Sequence, residues 1–137
     1  EETAKTLTAD GWLRTGDVVT VDEDGFTTIV DRAKELIITG GFNVSPSEVE
    51  SVLRLHPDVR DAAVVGKPLE RGGELVVATV ELEPGATLDE EALRGHCREH
   101  LAGYKVPKRI VAIPDMPRSM LGKILRKQVR EQVLPTL

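Results

Sequence analysis

Lys123 lies in the segment Pro117-Arg118-Ser119-Met120-Leu121-Gly122-Lys123-Ile124-Leu125-Arg126-Lys127, where proline and serine define the approach and an amphipathic stretch follows. This layout presents an ammonium at a turn. It suits a cation aimed at a phosphate or carboxylate, and it suits a plain surface hairpin equally well. Three further elements precede it: Thr15-Gly16-Asp17, then Asp31-Arg32-Ala33-Lys34-Glu35, then Gly40-Gly41. Taken singly, Asp17 is a turn aspartate, and Arg32 and Lys34 belong to a solvated linker. The glycine pair is a tight loop that lets a ligand pass close to backbone. All four in this order and spacing are not easily matched by chance. His96 and His100 stand at i and i+4 on an expected helix, a spacing that can grip zinc. His56 is the only other histidine, however, and Cys97 falls on the apolar stripe of the helix. The group therefore reads as a core cysteine flanked by surface histidines.

The elements that must position these residues follow from local pattern. Residues 17 to 30 read as a hairpin, with β-branched runs on either side of Asp24-Gly25. Leu36-Ile37-Ile38 is a short buried strand, and 39 to 43 a Gly-Gly loop. Ser45 caps a helix with Pro46 in its first position, and Glu48 closes a capping box. Val49, Val52 and Leu53 form its buried stripe, and Pro57 ends it. Strands are expected at 62–65 and 75–82. A second capping box, Thr87 to Glu90, opens a helix through Leu93, Cys97 and Leu101 that stops at Gly103. A strand at 109–113 and a helix at 125–133 complete the chain. The fold class is α+β: a small antiparallel-sheet domain flanked by three helices and preceded by a β-hairpin.

Composition narrows the classes of function. A chain of 137 residues has room for one real core. Its four aromatics, Trp12, Phe26, Phe42 and Tyr104, leave that core to Val, Leu, Ile and Ala. The single cysteine excludes an internal disulfide and fits a reducing, cytoplasmic compartment. No apolar run approaches the ~20 residues of a membrane span. The net charge of −5 hides an asymmetry, because residues 103 to 130 hold eight Lys or Arg and one acid. A basic face on an acidic body argues for a local anionic partner and against nucleic acid, which calls for a basic domain.

At these motifs the sequence resembles the adenylate-forming (AMP-binding) enzymes: acyl-CoA synthetases, peptide-synthetase adenylation domains and luciferases. The resemblance covers nearly the whole chain, from Asp10-Gly11-Trp12 to Val133. Gly11-Trp12-Leu13-Arg14-Thr15-Gly16-Asp17 is similar to the ribose-binding element of that family, and Asp31-Arg32-Ala33-Lys34 to its hinge motif. Gly40-Gly41-Phe42-Asn43-Val44-Ser45-Pro46-Ser47-Glu48-Val49-Glu50 resembles the loop and helix that follow, and Pro117 to Arg126 the motif of the catalytic lysine. The wording of the glycine loop is most like acyl-CoA synthetases (fatty-acid-CoA ligases). Two stretches depart from the common pattern: Leu69-Glu70 where an acid more often follows Pro68, and Ser119-Met120-Leu121 where small or polar residues are usual.

The resemblance implies roles. Asp17 would bind the ribose hydroxyls of ATP, and Arg32 would add a cationic fork near the nucleotide. Lys34 would be the hinge between residues 1–33, the end of an N-terminal domain, and residues 35–137, a mobile C-terminal domain. Lys123 would be catalytic, reaching the substrate carboxylate and the α-phosphate. Gly40 and Gly41 would then replace it and admit the pantetheine arm of CoA, with Tyr104 and Lys108 (beside Lys105 and Arg109) contacting the CoA nucleotide. ATP, Mg2+ and CoA would be co-substrates of a larger enzyme that converts a carboxylic acid to acyl-AMP and then to acyl-CoA. The phosphate loop, adenine pocket and acyl pocket are absent from these residues, so the chain alone is expected to be inactive and to need a missing N-terminal adenylation domain. Its orphaned hairpin, with open edges, would allow a homo-oligomer. Two rivals remain: an adenylating enzyme that loads a carrier protein, and a stand-alone anion-binding module.

Overall fold

The structure, a computed structural model, describes residues 2–137. It divides into two compact units, one ending at Lys34 and the other spanning Glu35–Leu137.

The first unit contains a short helix α1 (Glu2–Thr6) and a hairpin of β1 (Asp17–Val21) and β2 (Thr27–Arg32). The polar tail expected before the hairpin is thus partly helical. At the hairpin turn the Asp22 carboxylate accepts from the Asp24 and Phe26 amides at 3.0 and 2.8 Å, and Gly25 supplies the positive φ of 85°. Val18 faces Asp31 and Val19 faces Ile29, so the register slips by one residue there as a bulge. Asp31 is the one buried residue of this unit among the described side chains. Trp12, Leu13, Phe26 and Ile29 are all exposed. A two-stranded ribbon of this kind has no core of its own to hold it.

The second unit is built on β5 (Val59–Pro68), β6 (Glu74–Leu82) and β7 (Arg109–Ala112), in the order β5-β6-β7. β5 and β6 pair antiparallel, and β7 joins β6 in parallel. Parallel neighbours need a crossover. It is supplied by α3 (Glu90–His100). Alternation along the strands gives the sheet two apolar faces. Ala62, Val64, Val76, Ala78, Val80 and Ile110 pack with Val49 and Leu53 of α2 (Pro46–Leu53) and with Leu93 and Cys97 of α3. Ala63, Val65 and Val77 point the other way, onto Met116 and onto Val129 and Val133 of α4 (Arg126–Val133). The sheet is therefore covered on both sides, and each fully buried Val or Leu contributes about 1.5–3 kcal/mol.

Several local expectations are corrected. The Gly-Gly segment is the tip of a second hairpin, β3 (Ile37–Thr39) with β4 (Phe42–Val44), so Phe42 to Val44 is strand rather than loop. Within β3 only Ile37 is buried, because a two-stranded ribbon lying on the domain covers one face. Ser45 caps α2, accepting from the Glu48 amide at 3.3 Å, and the Glu48 carboxylate also takes Lys105. In α3 the cap is Asp89, accepting from the Ala92 amide at 2.9 Å, in place of Thr87. Aspartate is a better N-cap than threonine and stands next to the first helical residue, so the helix starts later.

Candidate functional site

Two strand ends meet in the first unit. Asp17 begins β1 and Arg32 ends β2, and the register places them opposite each other. Their side chains join, Arg32 Nε to an Asp17 carboxylate oxygen at 2.8 Å, with the arginine more exposed than the acid. Thr15 Oγ1 accepts from the Asp17 amide at 3.2 Å, and the Gly16 carbonyl accepts from the Ala33 amide at 2.8 Å. The two candidate nucleotide ligands are thus brought together. Arg32 holds one oxygen of the Asp17 carboxylate. Lys34 follows in a single 3-10 turn, Ala33–Glu35, and is exposed at the last residue before the second unit.

In the second unit Gly40 and Gly41 form the two-residue tip between β3 and β4, with φ of 56° and 83°. Positive φ at both positions is what a type I′ turn requires, and side-chain-bearing residues resist it. A Cβ built on either glycine would meet nothing within 4 Å, so the glycines leave open backbone at the surface. Beside the tip, Phe42 stacks on Tyr104 with ring centroids 4.5 Å apart and planes at 22°. Both rings are partly exposed. Lys105 lies 5.9 Å from the Tyr104 ring centre and bonds both Glu48 oxygens, at 2.7 and 2.8 Å. That pair ties the Gly103–Lys105 turn to the start of α2. Lys108 is exposed and enters no ion pair among the described residues, while its amide bonds the Val76 carbonyl at 2.8 Å.

Lys123 stands on a tight hairpin. The Ser119 amide donates to the Lys123 carbonyl at 2.7 Å and the Gly122 amide to Ser119 at 2.9 Å. Ser119 Oγ accepts from the Leu121 and Lys123 amides at 3.3 and 3.2 Å. Gly122 has φ of 80°, which completes the turn. The tip itself is Met120 and Leu121, both fully exposed, and Lys123 is the first residue of the returning arm. Its side chain is exposed and enters no ion pair among the described residues. An unpaired cation on a stiff turn can be delivered intact to an anion.

Residues that the motif reading passed over hold this hairpin. On the entering arm Arg118 Nη2 bonds Asp61 at 2.9 Å and Glu81 at 3.3 Å. On the leaving side Arg126 bonds Glu50 through Nε at 2.9 Å and Nη2 at 2.8 Å, and reaches Ser47 at 3.2 Å. Glu50 and Glu81 are both buried. Burial pushes the Asp61 carboxyl up, but the Ala62 amide and the Arg118 guanidinium outweigh it and leave it below the ordinary range. The bond to Asp61, opposed by burial and aided by Glu81, raises Arg118 further. A signal for one of these partners did exist in the sequence: Glu81 is an acid inside the largely apolar run 75–82.

The histidines gather without making a metal centre. His96 Nε2 is 2.9 Å from the Val52 carbonyl and His100 Nδ1 is 2.9 Å from the His96 carbonyl. His96 is half-buried rather than on the surface, because α3 leans its ring on the end of α2. Cys97 is buried as expected, and burial pushes its thiol up to about 11. No group of three or more His, Cys, Asp or Glu among the described residues could hold a metal ion.

Residues 48–123 match the model of the AMP-binding enzyme C-terminal domain. The chain belongs to that family. It is 50% identical over 123 residues to a long-chain-fatty-acid–CoA ligase of Yersinia pestis, a match covering 90% of this chain and 22% of the relative. It is 47% identical over 136 residues to the 2-succinylbenzoate–CoA ligase of Geobacillus kaustophilus (strain HTA426), covering 99% and 28%. The ATP-bound crystal structure of MatB from Rhodopseudomonas palustris superposes with a TM-score of 0.90 at 38% identity, covering 99% of this chain and 27% of that one. The chain thus spans about a quarter of the length of such relatives. No helix among the described residues is long and apolar enough to cross a membrane.

Proposed function

We propose that this chain is the C-terminal part of an acyl-CoA synthetase, which activates a carboxylic acid with ATP to acyl-AMP and then forms the acyl-CoA thioester. The observation that carries the reading is an exposed Lys123, in no ion pair among the described residues, on a clamped hairpin, in a chain of the AMP-binding enzyme C-terminal domain family that is similar to named CoA ligases. In the first half-reaction Lys123 neutralises charge as the carboxylate oxygen attacks the α-phosphorus and pyrophosphate leaves. Phosphoryl-type transfer needs charge placed in advance more than it needs a proton donor. Asp17 accepts from the ribose hydroxyls, and Arg32, paired with it, keeps that carboxylate aimed. Residues 1–33 end the N-terminal domain, Lys34 is the hinge and residues 35–137 swing about it. The bare hairpin, with its exposed apolar side chains, is supported by that larger domain.

In the second half-reaction the open Gly40-Gly41 backbone takes the place of Lys123 and lines the path of the pantetheine arm. Tyr104, backed by Phe42, gives a flat apolar surface beside that path, and Lys108 gives a cation for the nucleotide phosphates. No group among the described residues fits a metal site; Mg2+ would accompany ATP on the other domain, and no step proposed for this chain runs through it. The enzyme would work in the cytoplasm. Which acid is activated depends on a pocket outside these residues.

Thioester formation by the full-length enzyme, measured with CoA and separately with a pantetheinylated carrier protein, tests the acceptor. Turnover with CoA is expected. Turnover with the carrier protein alone would replace this reading by a carrier-loading enzyme, and ATP–pyrophosphate exchange with no carboxylic acid tested would remove the enzyme reading.

A further inference from the structure

We propose that Arg118 and Arg126 are positioning residues that clamp the two arms of the Lys123 hairpin onto the sheet, so that Lys123 arrives at the adenylate site in a fixed geometry. The inference rests on the functional reading above and goes beyond it by naming the residues through which Lys123 is held.

The hairpin has little else to fix it. It is joined across its arms by the Ser119–Lys123 backbone bond, the Arg118–Ile124 bridge and the Leu125 amide to the Pro117 carbonyl at 2.8 Å. Those bonds shape the turn but attach it to nothing outside. Met120 and Leu121 at its tip touch no core. On the returning arm Ile124 packs against the cluster of Met116, Val129 and Val133, and the polar attachment comes from the two ends. Arg118 reaches back to Asp61 on β5 and Glu81 on β6, bridging neighbouring strands with one nitrogen. Glu81 also accepts from the Met116 amide at 3.2 Å, which pins the chain just before the entering arm. Arg126 grips Glu50 on α2 with two nitrogens, and the same Glu50 accepts from the Val64 amide on β5 at 2.9 Å. A bidentate guanidinium–carboxylate pair fixes direction as well as distance. Lys123 therefore sits between two rigid posts.

The posts differ in one useful respect. Glu81 keeps Arg60 at 3.1 Å, and Asp61 keeps Arg54 at 3.5 Å, when Arg118 is removed. Glu50 pairs with Arg126 alone among the ion pairs of the described residues. Removing Arg118 should therefore loosen the hairpin while leaving no buried acid without a cation, which makes it the cleaner probe.

The test uses Arg118→Met and Arg118→Lys. In this 137-residue chain, amide hydrogen exchange at Ser119 and Leu125 is expected to speed up in Arg118→Met, with exchange in β5 and β6 unchanged. In the full-length enzyme, Arg118→Met is expected to lower the adenylation rate roughly 10- to 10²-fold, the cost of misplacing a catalytic group by about an ångström. Thioester formation from supplied acyl-adenylate stays at the unsubstituted rate. Arg118→Lys, with a single point charge in place of the fork, falls between. Unchanged exchange at Ser119 and Leu125 would overturn the clamp, whatever the kinetics. So would an unchanged adenylation rate in a background where Lys123→Ala is slow. If Lys123→Ala itself leaves adenylation untouched, the functional reading has failed, and the exchange measurement still decides whether Arg118 holds the hairpin.

Discussion

In the full-length enzyme, Lys123→Ala is expected to lower acyl-adenylate formation roughly 10²–10³-fold, the usual loss when one preorganised charge donor is removed from a transition state. Thioester formation from supplied acyl-adenylate should be largely spared, because the proposed exchange of faces withdraws the lysine in that half-reaction. The split follows from how the residue is held. Its side chain makes no ion pair among the described residues and packs in no core, so alanine removes a charge without disturbing the sheet. The melting temperature of the chain should accordingly stay where it is. Single-turnover measurement of each half-reaction checks the prediction, and equal loss in both would mean that Lys123 has another task.

The second large effect is on stability. Arg126→Ala leaves Glu50 buried with the Val64 amide but without its cation. Breaking a buried pair from one side typically costs about 3–5 kcal/mol, because the remaining charge has lost both water and partner. A loss of that order is a large part of the 5–15 kcal/mol that holds a typical domain together. Denaturant unfolding of the chain should show it, and the double variant Glu50→Leu with Arg126→Leu should recover much of it, since no charge is then stranded. A double variant as unstable as Arg126→Ala would show that the arginine acts through packing and not through Glu50.

How much of this was legible follows the range of each interaction. The first hairpin was legible because Asp24-Gly25 marks its turn locally, and α2 because Ser45 and Pro46 sit next to each other at its start. The buried stripes of α2 and α3 follow from helical spacing, so Leu53, Leu93 and Cys97 could be assigned from sequence alone. The bond of Glu48 to Lys105 is not legible, because the partner lies 57 residues away. Thr87 loses to Asp89 because aspartate is the stronger N-cap, a preference that the Thr87–Glu90 box spacing hides. The β3–β4 hairpin was half seen, since two glycines look like a loop until the strands on both sides are known. In the candidate site the chemistry-bearing types stood out by motif, but the pairing of Asp17 with Arg32 needed the strand register. The stacking of Phe42 on Tyr104 and the clamps by Arg118 and Arg126 needed the tertiary fold.

The proposed mechanism has one chain present two faces in turn, a lysine for adenylation and a glycine hairpin for thioester formation. Single-turnover rates of both half-reactions, measured side by side for Lys123→Ala and Gly41→Val in the full-length enzyme, test it most directly. Valine at Gly41 would be forced toward a φ of 83° that β-branched residues resist, and its side chain would stand where the glycine backbone is open. The predicted result is a crossed pattern, with Lys123→Ala slow only in adenylation and Gly41→Val slow only in thioester formation. Both variants slow in the same half-reaction would contradict the exchange of faces.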